Sequence, residues 1–540
     1  MGINREKDGS MDALASRRGF LKGAGAALAG GALLGLAGCA PSGAGAAGQN
    51  AGAGEVAWDE EYDVVVVGAG IAGLATAVTI SREGNGESCL VIEKDATPNG
   101  NSPFCAGYML YADDVEDAYE YMNWLTGDCT PEDVLRAYAE GLVENRDWSR
   151  SIGIEDEWII LDEPGADKTY EYPETGLSGN IGMFHHDPEN PSAKHIHTLL
   201  LEQVTADKTI TYKTSCPLES LIQDPDTKEI IGVEAGGKNI RALKGVVMCC
   251  GGFESNQEML FNYTGVAGAF PYAGAANTGD GHKACAKIGA DFWHMHAGAS
   301  YWLACRNREN TEFISRVFSF TTKKHGITVG ANGRRFYQDY DGACLLYNET
   351  PADSNLSTNV GYRHGITQFG GEWTHLPLPS KAWFVFDTAG LAAGAFPAEV
   401  SSDPVADGWA YVGDSLEDLA AQIEVPADEL RETVNVWNGF CEEGKDIAFF
   451  RPADTMTKIS EPPFYAMLCA PALLNTDGGP VRSANAEILN PDGESIGGLY
   501  SAGEFGSIWG HRYNGAGNVA ECVIFGRIAA RSILSQAVDA

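Results

Sequence analysis

The stretch Glu61-Tyr62-Asp63-Val64-Val65-Val66-Val67-Gly68-Ala69-Gly70-Ile71-Ala72-Gly73-Leu74-Ala75-Thr76-Ala77-Val78 decides the fold. Four consecutive valines read as a parallel strand buried on both faces, where β-branched side chains pack well and no polar alternation is needed. In the glycine turn that follows, Gly68 permits the tight bend, Gly70 lets backbone approach a pyrophosphate, and Gly73 allows the next helix to pack closely on the strand. Phosphates would sit at that helix N-terminus, beside Ala72. A second apolar strand, Cys89-Leu90-Val91-Ile92, ends in Glu93, 23 residues after Gly70. An acid there can accept both hydroxyl protons of an adenosine ribose, so the dinucleotide-binding order of strand, glycines, helix, strand and acid is complete.

Later motifs distinguish the cofactor. Glu93-Lys94 runs into Asn99-Gly100-Asn101-Ser102 and Ala106-Gly107. A later strand ends as Val246-Val247-Met248-Cys249-Cys250-Gly251-Gly252-Phe253, with Cys249 and Cys250 read as strand residues pointing to opposite faces. Asn277-Thr278-Gly279-Asp280-Gly281-His282 opens a helix-like stretch. Near the end, Gly498-Leu499-Tyr500-Ser501-Ala502-Gly503-Glu504-Phe505-Gly506 precedes Gly515-Ala516-Gly517-Asn518 and an apolar helix from Val519 to Ile533. This order resembles the flavoprotein family of fumarate reductases, urocanate reductases and 3-ketosteroid dehydrogenases, from about residue 60 to the end. The resemblance implies FAD, held by Gly68, Gly70, Ala72, Gly73, Glu93, Lys94, Asn101, Ser102, Gly107, Gly251, Gly252, Asp280, Glu504, Asn518 and Val519. By it, Glu504 contacts the ribityl chain, Asp280 lies near the cofactor, and the helix after Gly517 aims its positive end at the flavin N1/O2 edge. Reduction places negative charge on that edge, which a helix N-terminus stabilises.

Three departures from the family's pattern bear on substrate. Fumarate reductases place a proton-delivering arginine four residues after the acid of a G-R-F-x-x-E-like segment. Here that segment is Gly333-Arg334-Arg335-Phe336-Tyr337-Gln338-Asp339, and Ala343 stands at the arginine's place. Tyr340 and Tyr347 flank the gap, and Tyr340 is the candidate proton donor, since a phenol near pKa ~10 can protonate a carbanion. Dicarboxylate-binding members carry a His-His pair before a Gly-Gly, where this chain has Leu474-Asn475-Thr476-Asp477-Gly478-Gly479. A small dianion needs fixed cations, whereas leucine suits a larger apolar body, so fumarate is disfavoured. Finally, Arg512-Tyr513-Asn514-Gly515-Ala516-Gly517 resembles the T-Y-x-G-x-G stretch of 3-ketosteroid dehydrogenases, in which a tyrosine hydroxyl and the last glycine's N–H grip a ketone oxygen. Tyr513 and Gly517 fall on those positions, and two such donors would stabilise an enolate. The alternative for Tyr513 is a packed aromatic on a glycine turn. Arg512 either binds a carboxylate bidentately or covers the flavin edge.

The N-terminus reads as an address. Ser16-Arg17-Arg18-Gly19-Phe20-Leu21-Lys22 opens an apolar Ala/Gly/Leu run ending in Leu36-Ala37-Gly38-Cys39, too short and glycine-rich to span a bilayer. The paired arginines resemble a twin-arginine export signal. Leu-Ala-Gly-Cys resembles a lipoprotein box that would make Cys39 the lipidated first mature residue; a plain signal cut nearby is the alternative. Residues 40–57 have the Gly/Ala/Ser composition of a flexible tether.

Across all 540 residues, 37 basic against 74 acidic side chains leave a net charge of −37. Nucleic-acid binding draws on clustered Lys and Arg, so it is excluded as a partner class, and an anionic membrane surface is disfavoured. The acidity means solubility, or docking to a basic redox partner. Thirteen cysteines include no C-x-x-C, so neither an iron–sulfur cluster nor haem attachment is indicated. His294 and His296 read as structural. His195 and His197 share one face if their stretch is extended, but lack further ligands, and no metal is expected.

The expected architecture is α/β: a discontinuous Rossmann-like FAD-binding domain over 58–290 and 456–540, interrupted by an inserted α+β substrate-capping domain at 291–455. The expected function is an exported oxidoreductase that reduces an activated C=C bond (enone, steroid-like or aryl-acrylate) by hydride transfer from flavin N5, fed by a separate cytochrome or quinol-linked donor. Two alternatives stay open. One is a 3-ketosteroid-type dehydrogenase running the reverse reaction. The other is a tethered flavin-binding electron-transfer lipoprotein without its own substrate.

Overall fold

The computed structural model describes residues 56–165, 172, 175–266, 268–308, 319–320, 323–336, 381–398, 400–449, 451 and 453–536. The candidates Tyr340 and Tyr347, Ala343 and the leader up to Cys39 lie outside them.

The valine run is the buried end of β1 (Glu60–Val67), and the glycine turn delivers the chain into α1 (Ile71–Glu83). β2 (Cys89–Ile92) lies parallel to β1 with Val64 opposite Cys89, as a helical crossover requires. Beyond a three-stranded antiparallel sheet (Met109–Tyr111, Gly182–His186, Ile159–Asp162), α2 (Ile196–Ala206) leads to β3 (Ile210–Lys213), parallel to β2. β4 (Lys238–Met248) then returns to the other side of β1, also parallel. That reversal makes the carboxyl ends of β1 and β4 a topological switch point, where open α/β sheets bind ligands. Side chains alternate across the sheet: Val64 and Val66 join the core under α1, and Val65 and Val67 join that of the opposite face.

A second sheet surrounds a different strand. β5 (Gly298–Arg306) and β6 (Ala382–Asp387) both run antiparallel to β7 (Phe464–Thr476), which is thirteen residues long. β6 pairs with its first half and β5 with its second. Sequence placed everything after 456 in the FAD-binding part, yet β7 is central to the second sheet. The chain passes from one layer to the other along this strand, whose far end, Asn475-Thr476, reaches the switch point. β8 (Ser495–Ser501) then joins the first sheet, parallel to β4, and α3 (Gly517–Ser535) packs along α1.

Two local expectations change. His195 and His197 are not on a strand: His195 caps α2, its ring accepting the His197 N–H, and His197 Nε2 lies 3.1 Å from Ala69 O, bracing the glycine turn. β4 ends at Met248, so Cys249 and Cys250 belong to the turn beyond it. Among the described residues, no helix is long and apolar enough to cross a membrane.

Candidate active site

At the switch point lies an open cleft. Its floor is the turn Val67–Ala72, one wall is Glu93 to Ser102, and the other is Cys249–Gly251 with Ala276, Asn277 and Asp280. Ala502, Glu504 and Cys522 close the inner end. Side chains are excluded from the floor. A Cβ on Gly68, whose φ is +107°, would collide with the Cys249 carbonyl oxygen, and one on Gly73 would collide with that of Gly68. Gly70 precedes α1 without a side chain, its carbonyl accepting the Leu74 N–H at 3.0 Å, and Ser102 Oγ accepts the Ile71 N–H at 2.9 Å.

The wall residues are tied in place. Glu93 is buried and its two oxygens accept the N–H groups of Ala69 and Asp95, both at 3.1 Å, fixing the acid against the turn. Lys94 Nζ reaches across the cleft to Thr278 Oγ1 (2.7 Å) and Asp280 Oδ2 (2.8 Å). Burial opposes the charge of Asp280, but the Lys94 and Thr278 hydrogen bonds outweigh it and hold the carboxyl below its usual range. Gly107 and Gly251 both have positive φ, +72° and +65°.

Behind the cleft is a polar network that sequence reasoning saw only in part. Asn101 Nδ2 lies 2.7 Å from Glu254 Oε1, 3.0 Å from Leu474 O and 3.2 Å from Glu504 Oε2. Asn277 Nδ2 donates to the same Glu254 oxygen at 2.5 Å, Thr476 Oγ1 to Glu254 Oε2 at 3.1 Å, and Asn475 Nδ2 to Glu504 Oε2 at 2.8 Å. Burial pushes both carboxyls up, Glu504 well above its usual range with the charge of Glu254 adding to the effect. Asp477 is likewise pushed up by burial. Glu254 went unnoticed in the sequence, although an acid directly after Gly251-Gly252-Phe253 is a visible signal that the turn continues into polar ground. Arg482 and Glu521, which hold the Glu504 loop, carry no such mark.

The residues at the start of α3 correct one expectation. Tyr513 and Gly517 do not form a joint two-donor grip: the Gly517 N–H is committed to Asn514 O at 3.0 Å. The Tyr513 hydroxyl accepts the Asn518 N–H at 3.1 Å, and its ring stands edge-on to Trp509. The reason is the left-handed Ala516 (φ +72°), which turns these groups back onto the helix start. Arg512 stacks on Trp124, 4.2 Å above the ring. Arg334 and Arg335 of the G-R-R-F segment pair with Glu429 and Asp446. His294 Nδ1 lies 2.8 Å from Ser507 O, a buried structural position.

FAD fits these residues. The glycine floor leaves backbone for a pyrophosphate, and Glu93 stands at the ribose end. At the other end, both atoms of the buried Asn518 amide lack a hydrogen-bond partner at the N-terminus of a nineteen-residue helix, with Val519 half-buried beside it. An amide so placed calls for a ligand with both donor and acceptor.

The family described as FAD binding domain matches residues 63–519. Digoxin reductase of Eggerthella lenta is 28% identical over 583 residues, covering 96% of each chain. A 3-oxosteroid 1-dehydrogenase of Mycobacterium tuberculosis is 29% identical over 331 residues, 55% of this chain and 54% of that one. The open conformation of a flavocytochrome c3 fumarate reductase superposes with a TM-score of 0.64 at 23% identity, over 88% of this chain and 78% of the other.

Proposed function

The chain belongs to the FAD binding domain family, and from that premise we propose that it reduces an activated C=C bond in a substrate with a large apolar body: an enone, a steroid-like ketone or an aryl acrylate. It is an FAD-dependent oxidoreductase acting on carbon–carbon double bonds. Bound in the cleft, FAD supplies the two electrons as hydride.

One observation carries the substrate class. Where relatives acting on dicarboxylates present histidines, this chain has Leu474 and Asn475, and the Asn475 amide is turned inward to Glu504. Neither of these two residues offers a cation to a substrate carboxylate, so an apolar substrate is favoured. Tyr513 is the residue we assign to its carbonyl. Accepting a hydrogen bond from a helix N-terminus polarises a hydroxyl and strengthens it as a donor. As charge develops on the substrate oxygen, the Tyr513 proton would stabilise it. Gly517 has no part in this step.

Holoprotein reduced anaerobically is expected to be reoxidised by enones, aryl acrylates or 3-ketosteroids. Tyr513→Phe should slow the effective substrate about 10²-fold, the loss usual for one oxyanion donor. Reoxidation by fumarate alone, or an unimpaired Phe variant, rejects the assignment. The reverse reading, a dehydrogenase, is tested by offering saturated ketosteroids to the oxidised enzyme.

The leader and the acidic body support export, with a lipid on Cys39 and electrons from a separate protein of basic surface. Mass spectrometry of the exported chain is expected to find a lipidated N-terminus at Cys39. An unmodified terminus elsewhere would remove the anchor.

A further inference from the structure

Two carboxyl groups meet behind the cleft with no counterion among the described residues. A Cβ on Gly252 would fall onto Thr476 Oγ1 and stand 2.5 Å from Glu254 Oε2 and 2.6 Å from Glu504 Oε1, so both acids face the space that glycine leaves. Glu254 is 0% and Glu504 8% exposed. Among the described residues their side-chain donors are neutral: Asn101, Asn277 and Thr476 on Glu254, Asn101 and Asn475 on Glu504. Among the described residues, the other ionisable groups that face the pair supply no positive charge. Asp477 and the Cys522 thiol are both pushed up by burial, toward their neutral forms. Beyond Asp477, Arg482 lies 3.5 Å from Glu521 and is engaged there.

Two ionised carboxylates in such a place would each carry a desolvation penalty and repel one another. Adjacent acids escape by holding a proton in common and titrating as a unit. We propose that Glu254 and Glu504 share one proton across Gly252, and that Glu254, acting through Glu504, sets the charge at the inner end of the FAD cleft. Glu254 is thus a positioning residue, and the inference rests on the cofactor rather than on the substrate proposed above.

The coupling to redox follows from charge. When FAD in the holoprotein takes two electrons from dithionite, negative charge is added beside the pair, which then binds a proton more readily. At alkaline pH, where the oxidised form has begun to release the shared proton, reduction draws it back from water: a carboxylate oxygen gains H⁺ and becomes a carboxylic acid, and no other bond in the chain changes.

The test uses holoprotein labelled with carboxyl-¹³C glutamate, as wild type, Glu254→Gln and Glu504→Gln, each checked for bound flavin by its visible spectrum. In the infrared, wild type at neutral pH is expected to show a protonated-carboxyl C=O band that Glu521→Gln leaves in place and that Glu254→Gln and Glu504→Gln both lose. In each variant the surviving acid receives an amide neighbour in place of a competing carboxyl and ionises. The midpoint potential of the flavin above neutral pH should fall more steeply with pH in wild type than in Glu254→Gln, which loses the extra slope. A band that survives in either variant would assign the proton to one residue by burial alone and overturn the sharing. So would the absence of any such band in wild type, and equal potential slopes would overturn the link to the cofactor. Should Glu254→Gln not retain flavin, Glu504→Gln carries both comparisons against wild type.

Discussion

Gly73→Ala is expected to yield a chain that purifies without visible flavin absorbance. The added Cβ would collide with the Gly68 carbonyl oxygen and approach Val66 Cγ1 to 3.1 Å. Its first obstacle is backbone, and that backbone is the turn that would carry the FAD pyrophosphate, so relief can come only by moving α1 away from β1 or by opening the turn. Gly68→Ala should do the same for two reasons: its Cβ would collide with Cys249 O, and its φ of +107° is one that an L side chain rarely adopts. Strain of that kind costs about 1–3 kcal/mol, and the clash adds to it. Gly86 provides the control. It has nearly the same φ, +99°, with nothing within 4 Å of the added atom. Gly86→Ala should keep its flavin and lose only the backbone term. Flavin content and thermal unfolding of the three variants, measured side by side, separate collision from strain; a flavin-replete Gly73→Ala protein would mean that the turn does not cradle the cofactor.

What could be read from the sequence is what is encoded over short spacing. Val64 to Gly73 carries its own argument, because strand, turn and helix follow within one continuous stretch and each glycine answers to a neighbour a few residues away. Glu93 is reached by counting along one βαβ unit. The pair Lys94 and Asp280 is half-legible: both were placed near the cofactor, but nothing local says that they join across the cleft. The network behind it is of another kind. Asn101, Glu254, Asn277, Asn475 and Glu504 come from separate segments, and only the passage of β7 from the second sheet to the first brings Asn475 and Thr476 to the acids. Tyr513 shows the same limit at closer range. Its position was identified, yet what its hydroxyl touches depends on the left-handed Ala516. At His195 the condition of an extended stretch is not met: Ile196, Leu199, Leu200 and Val204 are buried at helical spacing, which outweighs two histidines at strand spacing.

Arg482→Met is the second substitution expected to have a large effect, and it acts through a loop. Arg482 is 0% exposed. Its Nη2 donates to Gly503 O (2.6 Å) and Phe505 O (3.0 Å), the two carbonyls that flank Glu504, and its guanidinium stacks 4.7 Å from the Phe525 ring. The arginine therefore holds the very segment that brings Glu504 to the cleft. It is also the cation for Glu521, which accepts from Ser507 Oγ at 2.6 Å and from the Ile508 N–H at 3.0 Å. Burial pushes Glu521 up to about 7, with Arg482 opposing that rise. Removing the arginine leaves two carbonyls without their donor and a buried carboxylate without its partner, a loss of about 3–5 kcal/mol. The pH dependence has a definite sign. An acid whose folded pKa lies above its unfolded value stabilises the fold fully below the unfolded value and loses that contribution as pH rises through the folded one. In wild type this loss ends near the value of about 7; without Arg482 the folded value rises further, so the variant's deficit should widen above neutrality and narrow in acid. Adding Glu521→Gln to Arg482→Met removes the charge, keeps one oxygen to accept the Ile508 N–H and turns an NH2 donor toward the Ser507 hydroxyl oxygen, and should recover stability at pH 8 while leaving the Gly503 and Phe505 carbonyls unpaired. Denaturant unfolding of the single and double variants at two pH values, with flavin content alongside, separates the ion pair from the loop clasp. If the deficit is the same at both pH values and Glu521→Gln restores nothing, Glu521 is not charged in the native protein, and the clasp on Gly503 and Phe505 accounts for the whole effect.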